Sequence, residues 1–204
     1  EPQGVPLLAK NEDGDLVYRN ADTVANELLD LMARSGCAYL GVGMESISSD
    51  TLSSINKAHN NKRDFKQVVK KLHEHNIDVC GNFIFGLDTD GRDVFRRTVD
   101  FVLDAEIDFP VFQILVPYPG TRTYEEFERD GRLLTKDWSR YTRSDVVFEP
   151  AKMSRQELLL GTFWAYEEVY SRLNVARRAF SRWRGVRKHA YNMIMVRHFS
   201  RQIL

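Results

Sequence analysis

Cysteine is scarce in this 204-residue chain: only Cys37 and Cys80, 43 positions apart in apolar segments. A disulfide framework is therefore not expected, and a reducing cytoplasm is the default compartment. No window approaches the roughly 18 consecutive apolar residues of a membrane-spanning helix. The first residues lack the basic-then-apolar pattern of a signal peptide. The five histidines have no zinc-ligand spacing with either cysteine. His73 and His75, two apart on a helical stretch, face different ways and do not make a metal pair. No Ser-His-Asp arrangement is visible. The Gly41-Val42-Gly43 run is no dinucleotide fingerprint, because the strand continues past it and no third glycine opens a helix. Acids are absent from 172–204, where eight arginines and one lysine accumulate. Residues 1–171 then carry a net charge of −9 beneath an overall charge of zero. A basic tail of this kind suits nucleic acid, a membrane surface or an acidic partner. Its Phe180, Trp183, Tyr191, Met193, Ile194 and Phe199 also suit folding back onto the acidic body.

What is present is a regular alternation. A short strand at 16–21 precedes an amphipathic helix at 24–36, with Val24, Leu28, Leu31 and Met32 on one stripe and Gly36 as a stop. A strand at 37–44 follows, then a helical stretch starting near Ser49 or Asp50. A longer helix at 62–76 carries Phe65, Val68, Val69 and Leu72. The strand 78–86 leads through a turn into a helix at 92–106. A strand at 109–116 ends in Pro117-Tyr118-Pro119-Gly120-Thr121, read as a rigid turn. A short helix at 123–131 closes the pattern. Apolar runs alternating with amphipathic helices call for parallel strands with helical crossovers: an α/β fold, either a small open sheet or half of a closed barrel. Beyond residue 133 the pattern changes. Residues 137–150 read as an ordered loop, and 154–173 as a long helix with Ser154 and Glu157 in capping-box spacing. One or two basic helices finish the chain. The Trp164, Tyr166 and Tyr170 group reads as helix packing.

Ligands of α/β sheets gather at the C-terminal ends of the strands. In 37–44 one parity holds Gly41, Gly43 and, just past the end, Glu45; the other holds Leu40, Val42 and Met44. The apolar set suits a helix layer, and the glycine set leaves room with a carboxylate at its mouth. The next strand places Asn82 and Ile84 on one face, between Phe83 and Phe85. The last carries Gln113 between Phe112 and Ile114. By residue type, a strand-end Glu is more often a solvated acid and a strand amide a satisfied core group. Grouped at one mouth, Glu45, Asn82 and Gln113 suit the hydroxyls and amines of a polar small molecule. Asn20 is a weaker member of the set.

Three strings carry a family resemblance: residues 28–46 (LLDLMARSGCAYLGVGMES), 81–102 (GNFIFGLDTDGRDVFRRTVDFV) and 113–141 (QILVPYPGTRTYEEFERDGRLLTKDWSRY). Together with 146–171 they resemble the C-terminal half of radical S-adenosylmethionine enzymes, in the cobalamin-binding-domain class that includes hopanoid methylases. The resemblance implies a partial (β/α) barrel in which this chain supplies strands three to six of six. Residues 1–135 would form that half barrel, and 136–204 a loop plus a basic helical C-terminal extension. It implies that Glu45 and Ser46 contact the ribose or methionine part of S-adenosylmethionine. Asn82 and Ile84 would lie near adenine, and Gln113 at the end of the sixth strand. The family's Gly-Leu-Pro-Gly-Glu-Thr is here Gly86-Leu87-Asp88-Thr89-Asp90-Gly91, so Asp90 is the matching loop acid. Its Cys-x3-Cys-x2-Cys motif is absent, and three thiolates are needed to hold a site-differentiated [4Fe–4S] cluster. The cluster and cobalamin are therefore expected only in a full-length protein. The missing N-terminal barrel half becomes a partner, the substrate is small or lipid-like, and no nucleic acid is expected. Cytoplasmic placement, with membrane-surface contact through the basic tail, fits the implied class. The rival reading is a non-catalytic α/β adaptor or binding module derived from such a barrel.

Overall fold

The computed structural model describes residues 8–10, 16–18, 21–48 and 62–181. The helix expected near Ser49 and the basic tail beyond 181 lie outside the described residues. Two short strands, β1 (Leu8–Lys10) and β2 (Leu16–Tyr18), pair antiparallel with Leu8 opposite Tyr18. The helix α1 (Ala21–Arg34) leads to β3 (Tyr39–Glu45), α2 (Lys62–Glu74), β4 (Asp78–Phe85), α3 (Val94–Asp104) and β5 (Phe109–Ile114). Then come α4 (Arg122–Arg129), a single 3-10 turn at Trp138–Arg140, α5 (Arg155–Val169) and α6 (Arg172–Ser181).

The strands β3, β4 and β5 form one parallel sheet in that order, joined by helical crossovers. The expected first parallel strand at 16–21 is instead the three-residue β2, paired antiparallel with β1. The reason is length and chemistry. A parallel strand needs an apolar run buried on both faces, and Leu-Val-Tyr is too short to supply one. A hairpin needs only a nearby partner, and the intervening residues 11–15 carry Asp13-Gly14, a strong hairpin signal.

Burial alternates along β4 and β5 with period two. Val79, Phe83, Phe85, Phe112 and Ile114 are buried against α2, α3 and α5, with Phe65, Val69, Val99, Val102 and Leu158 in the same core. Phe85 stacks on Phe112 at 5.5 Å and meets Phe95 edge-on at 4.9 Å. An added Cβ on Gly161 of α5 would fall 2.3 Å from the Phe95 ring, so only glycine lets α5 approach α3 this closely. The capping box at α5 is formed: Glu157 N–H donates to Ser154 Oγ, and Ser154 N–H donates to Glu157 Oε2. Val146, Phe148 and Met153, between α4 and α5, join the same core.

The outer edge of β5 is closed. The Tyr166 hydroxyl accepts from Phe112 N–H at 2.9 Å and donates to Phe112 C=O at 2.8 Å. One helical turn later, Tyr170 Oη donates to Pro110 C=O at 3.0 Å. Ile114 N–H donates to Arg143 C=O at 2.9 Å. Burial pushes the Tyr166 phenol up to about 12, so it keeps its proton and its donor role. The helix-packing tyrosines thus also satisfy the backbone of an edge strand, a contact between elements 54 residues apart. On its other side the sheet ends at β3, where no strand pairs with it among the described residues.

Candidate cofactor site

The face of the sheet opposite the core carries Gly41 and Gly43 on β3. On β4 it carries Cys80, Asn82 and Ile84, and on β5 Val111 and Gln113. At its N-terminal end Tyr39 and Phe109 meet edge-to-face at 6.4 Å across β4, forming an aromatic floor. Above the floor Gly41 stands opposite Cys80, and none of the described residues lies within 4 Å of where a Gly41 Cβ would be. Burial raises the Cys80 thiol pKa, which keeps it protonated and a poor nucleophile.

The polar residues gather at the other end. Gly43 pairs with Asn82, but the next register partner of β4, Phe83, pairs with Glu45, so Met44 is the extra residue of a bulge. Met44 is buried in the core, and Glu45 takes φ of 61°. A left-handed backbone at a non-glycine residue costs about 1 kcal/mol or more. Its effect is to fold the side chain back over the strand. Glu45 Oε1 lies 2.9 Å from the place a Gly43 Cβ would occupy. Simple alternation along the strand predicts Glu45 over the glycine face; the bulge and the left-handed turn, rather than a continuous pleat, bring it there. Asn82 sits beside it and donates to Val42 C=O at 3.5 Å. Ile84 pairs in register with Gln113. Among the described residues the Gln113 amide has no hydrogen-bond partner, and its side chain is half-buried. The structure thus brings Glu45, Asn82, Ile84 and Gln113 onto one contiguous patch.

Ser46 is placed differently. It is buried, and its Oγ accepts from Ser48 N–H at 3.2 Å, holding the turn that leaves β3. Asn20 lies outside the described residues. Asp90 is more deeply engaged than its sequence suggested. Its Oδ2 accepts Gly86 N–H and Leu87 N–H, each at 3.0 Å, and it is buried. Burial is the main reason its pKa rises to about 6, against those two donors and Lys152. Gly86, with φ of 95°, turns the chain away from β4; a Cβ there would strike Leu158 and Phe148. Asp88 of the same loop pairs with Arg132 through two bonds of 2.8 and 2.6 Å. The loop at the C-terminal end of β4 is thereby fixed.

The two histidines have separate partners. His73 Nε2 bonds Asp108 Oδ2 at 2.7 Å, and His75 Nδ1 bonds Asp30 Oδ1 at 2.9 Å. Among the described residues no group of three or more His, Cys, Asp or Glu could hold a metal ion. No helix among them is long and apolar enough to cross a membrane.

A parallel βαβαβ sheet with one face packed and polar groups at the C-terminal ends of its strands is an α/β arrangement consistent with a partial barrel. Residues 6–102 match the radical SAM superfamily, and the chain belongs to that family. It is 40% identical over 144 residues to the bacteriochlorophyllide d C-12(1)-methyltransferase of Chlorobaculum tepidum, covering 71% of this chain and 31% of that protein. It is 32% identical over 153 residues to the bacteriochlorophyllide d C-8(2)-methyltransferase of the same organism, covering 73% and 32%. The hopanoid C-2 methylase of Rhodopseudomonas palustris is 27% identical over 111 residues, covering 54% and 21%. The chain thus spans about a third or less of the curated relatives it matches.

The family implies S-adenosylmethionine and a [4Fe–4S] cluster. The patch fits the first: a carboxylate, two amides and an apolar Ile84 can take hydroxyls, an amine and a flat purine. The residues present do not fit the second, because two separated cysteines cannot supply three thiolates.

Proposed function

We propose that this chain is the S-adenosylmethionine-binding and substrate-facing part of a radical SAM methyltransferase. The observation that carries the reading is the Glu45 carboxylate folded over Gly43, next to Asn82, at the C-terminal end of a parallel sheet in a member of this family. Once bound and reduced, S-adenosylmethionine supplies a carbon radical able to take hydrogen from an unactivated C–H bond. The residues of this chain position the cofactor and exclude water. Glu45 accepts hydrogen bonds from cofactor hydroxyls or its amine, and the bulge holds it in place before the cofactor arrives. Asn82 and Gln113 bond polar edges, and Ile84 packs on the adenine. The Asp90-anchored loop fixes the end of β4 against which the adenine lies.

The cluster, and cobalamin with it, belong in this reading to protein outside this chain, which also completes the barrel. The two bacteriochlorophyllide methyltransferases favour a large, flat tetrapyrrole as substrate. Cytoplasmic placement, with the basic tail near an anionic membrane surface, suits so apolar a substrate.

Calorimetric titration with S-adenosylmethionine tests the reading. The folded chain binds it, and Glu45→Gln weakens binding about tenfold while leaving the thermal midpoint within about 2 °C. A well-folded chain that binds no S-adenosylmethionine would overturn it.

A further inference from the structure

The segment following β5 carries an aromatic group that the cofactor site does not use. Tyr124 and Tyr141 are buried together with Val147. Trp138 packs on both, at 4.8 Å edge-on to Tyr141 and 6.1 Å from Tyr124, yet its side chain stays 53% exposed. The Tyr141 hydroxyl is tied to Thr135 C=O at 2.7 Å, so the support is fixed. Tyr118, 47% exposed, lies in the turn before α4; its carbonyl accepts from Thr121, whose Oγ1 caps the helix at Tyr124 N–H. The module is attached at the mouth of the sheet. Ile114 N–H bonds Arg143 C=O at the end of β5, and Arg132 grips Asp88 in the loop after β4. An indole held by two buried rings, edge-on to one and tilted to the other, and left open to solvent is a pre-oriented stacking surface.

We infer that Trp138 and Tyr118 are substrate-contact residues: they form a platform at the mouth on which the flat ring system of the substrate stacks. The inference rests on the tetrapyrrole reading given above and adds the surface that receives the macrocycle. A flat π system has the shape and chemistry for an exposed indole, and stacking on a fixed ring orders few side chains. The platform's segment is tied to the C-terminal ends of β4 and β5, the end of the sheet at which Glu45 and Gln113 lie.

The test is a titration of the purified chain with chlorophyllide a, followed by the ligand's own fluorescence. Wild type binds saturably. Trp138→Ala and Trp138→Leu weaken binding about fivefold, Tyr118→Ala about twofold, and Trp138→Phe restores affinity to within about twofold of wild type. S-adenosylmethionine affinity and circular dichroism stay unchanged in all four variants. Saturable binding indifferent to Trp138 overturns the platform and leaves the proposed function standing. Equal loss in the Phe and Leu variants overturns it too, because a bulk requirement is not stacking. Failure of wild type to bind chlorophyllide while binding S-adenosylmethionine overturns the tetrapyrrole reading and the platform with it. Sedimentation with anionic phospholipid vesicles that Trp138→Ala abolishes, without chlorophyllide binding, assigns the indole to a membrane and overturns the proposal.

Discussion

Neighbouring residues of β4 live in opposite environments. Phe83 and Phe85 are each 1% exposed and locked in a network of rings, whereas Asn82 and Ile84, one step away, are half-buried on the face opposite the core. The first face is held by dispersion and burial, and its tolerance for change is small. The second is roomy, glycine-bearing and polar at one end, and contributes little to holding the chain together. Stability and ligand binding are thus separated by the pleat of a single sheet. The bulge at Met44 is where the two meet, since Met44 goes to the packed side and Glu45 to the open one.

The sharpest way to break this contrast is from the packed side. Phe85→Ala is expected to destabilise by about 3–5 kcal/mol, read by urea unfolding. A loss under about 1 kcal/mol would mean that the aromatic stack does not hold the sheet.

Next comes Asp90, a charge on the boundary. Its pKa is about 6 in the folded chain, above its ordinary value of 3.8. The folded state therefore binds the proton more tightly, and the stability this confers is full below pH 3.8 and lost as pH rises through 6. Between pH 4.5 and 7.5 the loss from this group is about 2 kcal/mol. Asp90→Asn keeps an acceptor for Gly86 and Leu87 without the charge. The variant's stability measured against wild type should therefore improve by that amount over the same range. Parallel pH profiles of the two proteins would count against the assignment.

A smaller effect is expected at the β5 edge. Tyr166→Phe leaves Phe112 N–H and C=O without their hydroxyl and should cost about 1–2 kcal/mol, with faster amide exchange at Phe112. The smallest is on the open face. Gln113→Ala should change stability by less than about 0.5 kcal/mol while weakening S-adenosylmethionine binding about threefold. A large loss of stability there would show that the open face also carries packing.

How far the sequence revealed this arrangement follows from the range of each interaction. The period-two burial of β4 is written in Asn82-Phe83-Ile84-Phe85, and the α5 start in Ser154 and Glu157, because both are local. The hairpin of β1 and β2 is local too, but its three-residue strands show no periodicity and Asp13-Gly14 is the trace it leaves. The bulge at Met44 is hidden because alternation assumes an unbroken pleat; a Gly-x-Gly strand ending in an acid is the trace it leaves. Asp90 was visible as an acid but not as a buried acceptor, which depends on Leu158 and Phe148 closing over Gly86 from some 60–70 residues away. The role of Tyr166 and Tyr170 likewise needs α5 laid along β5.

Those two hydroxyls make the sheet directional. Among the described residues β3 has no strand on its outer side, but pairing cannot be handed on past β5, because the next set of donors and acceptors there is already occupied by a helix. Two copies that met through β3 would stop as a pair, with a tyrosine seal at either end, where a sheet open on both sides would go on to build a fibre.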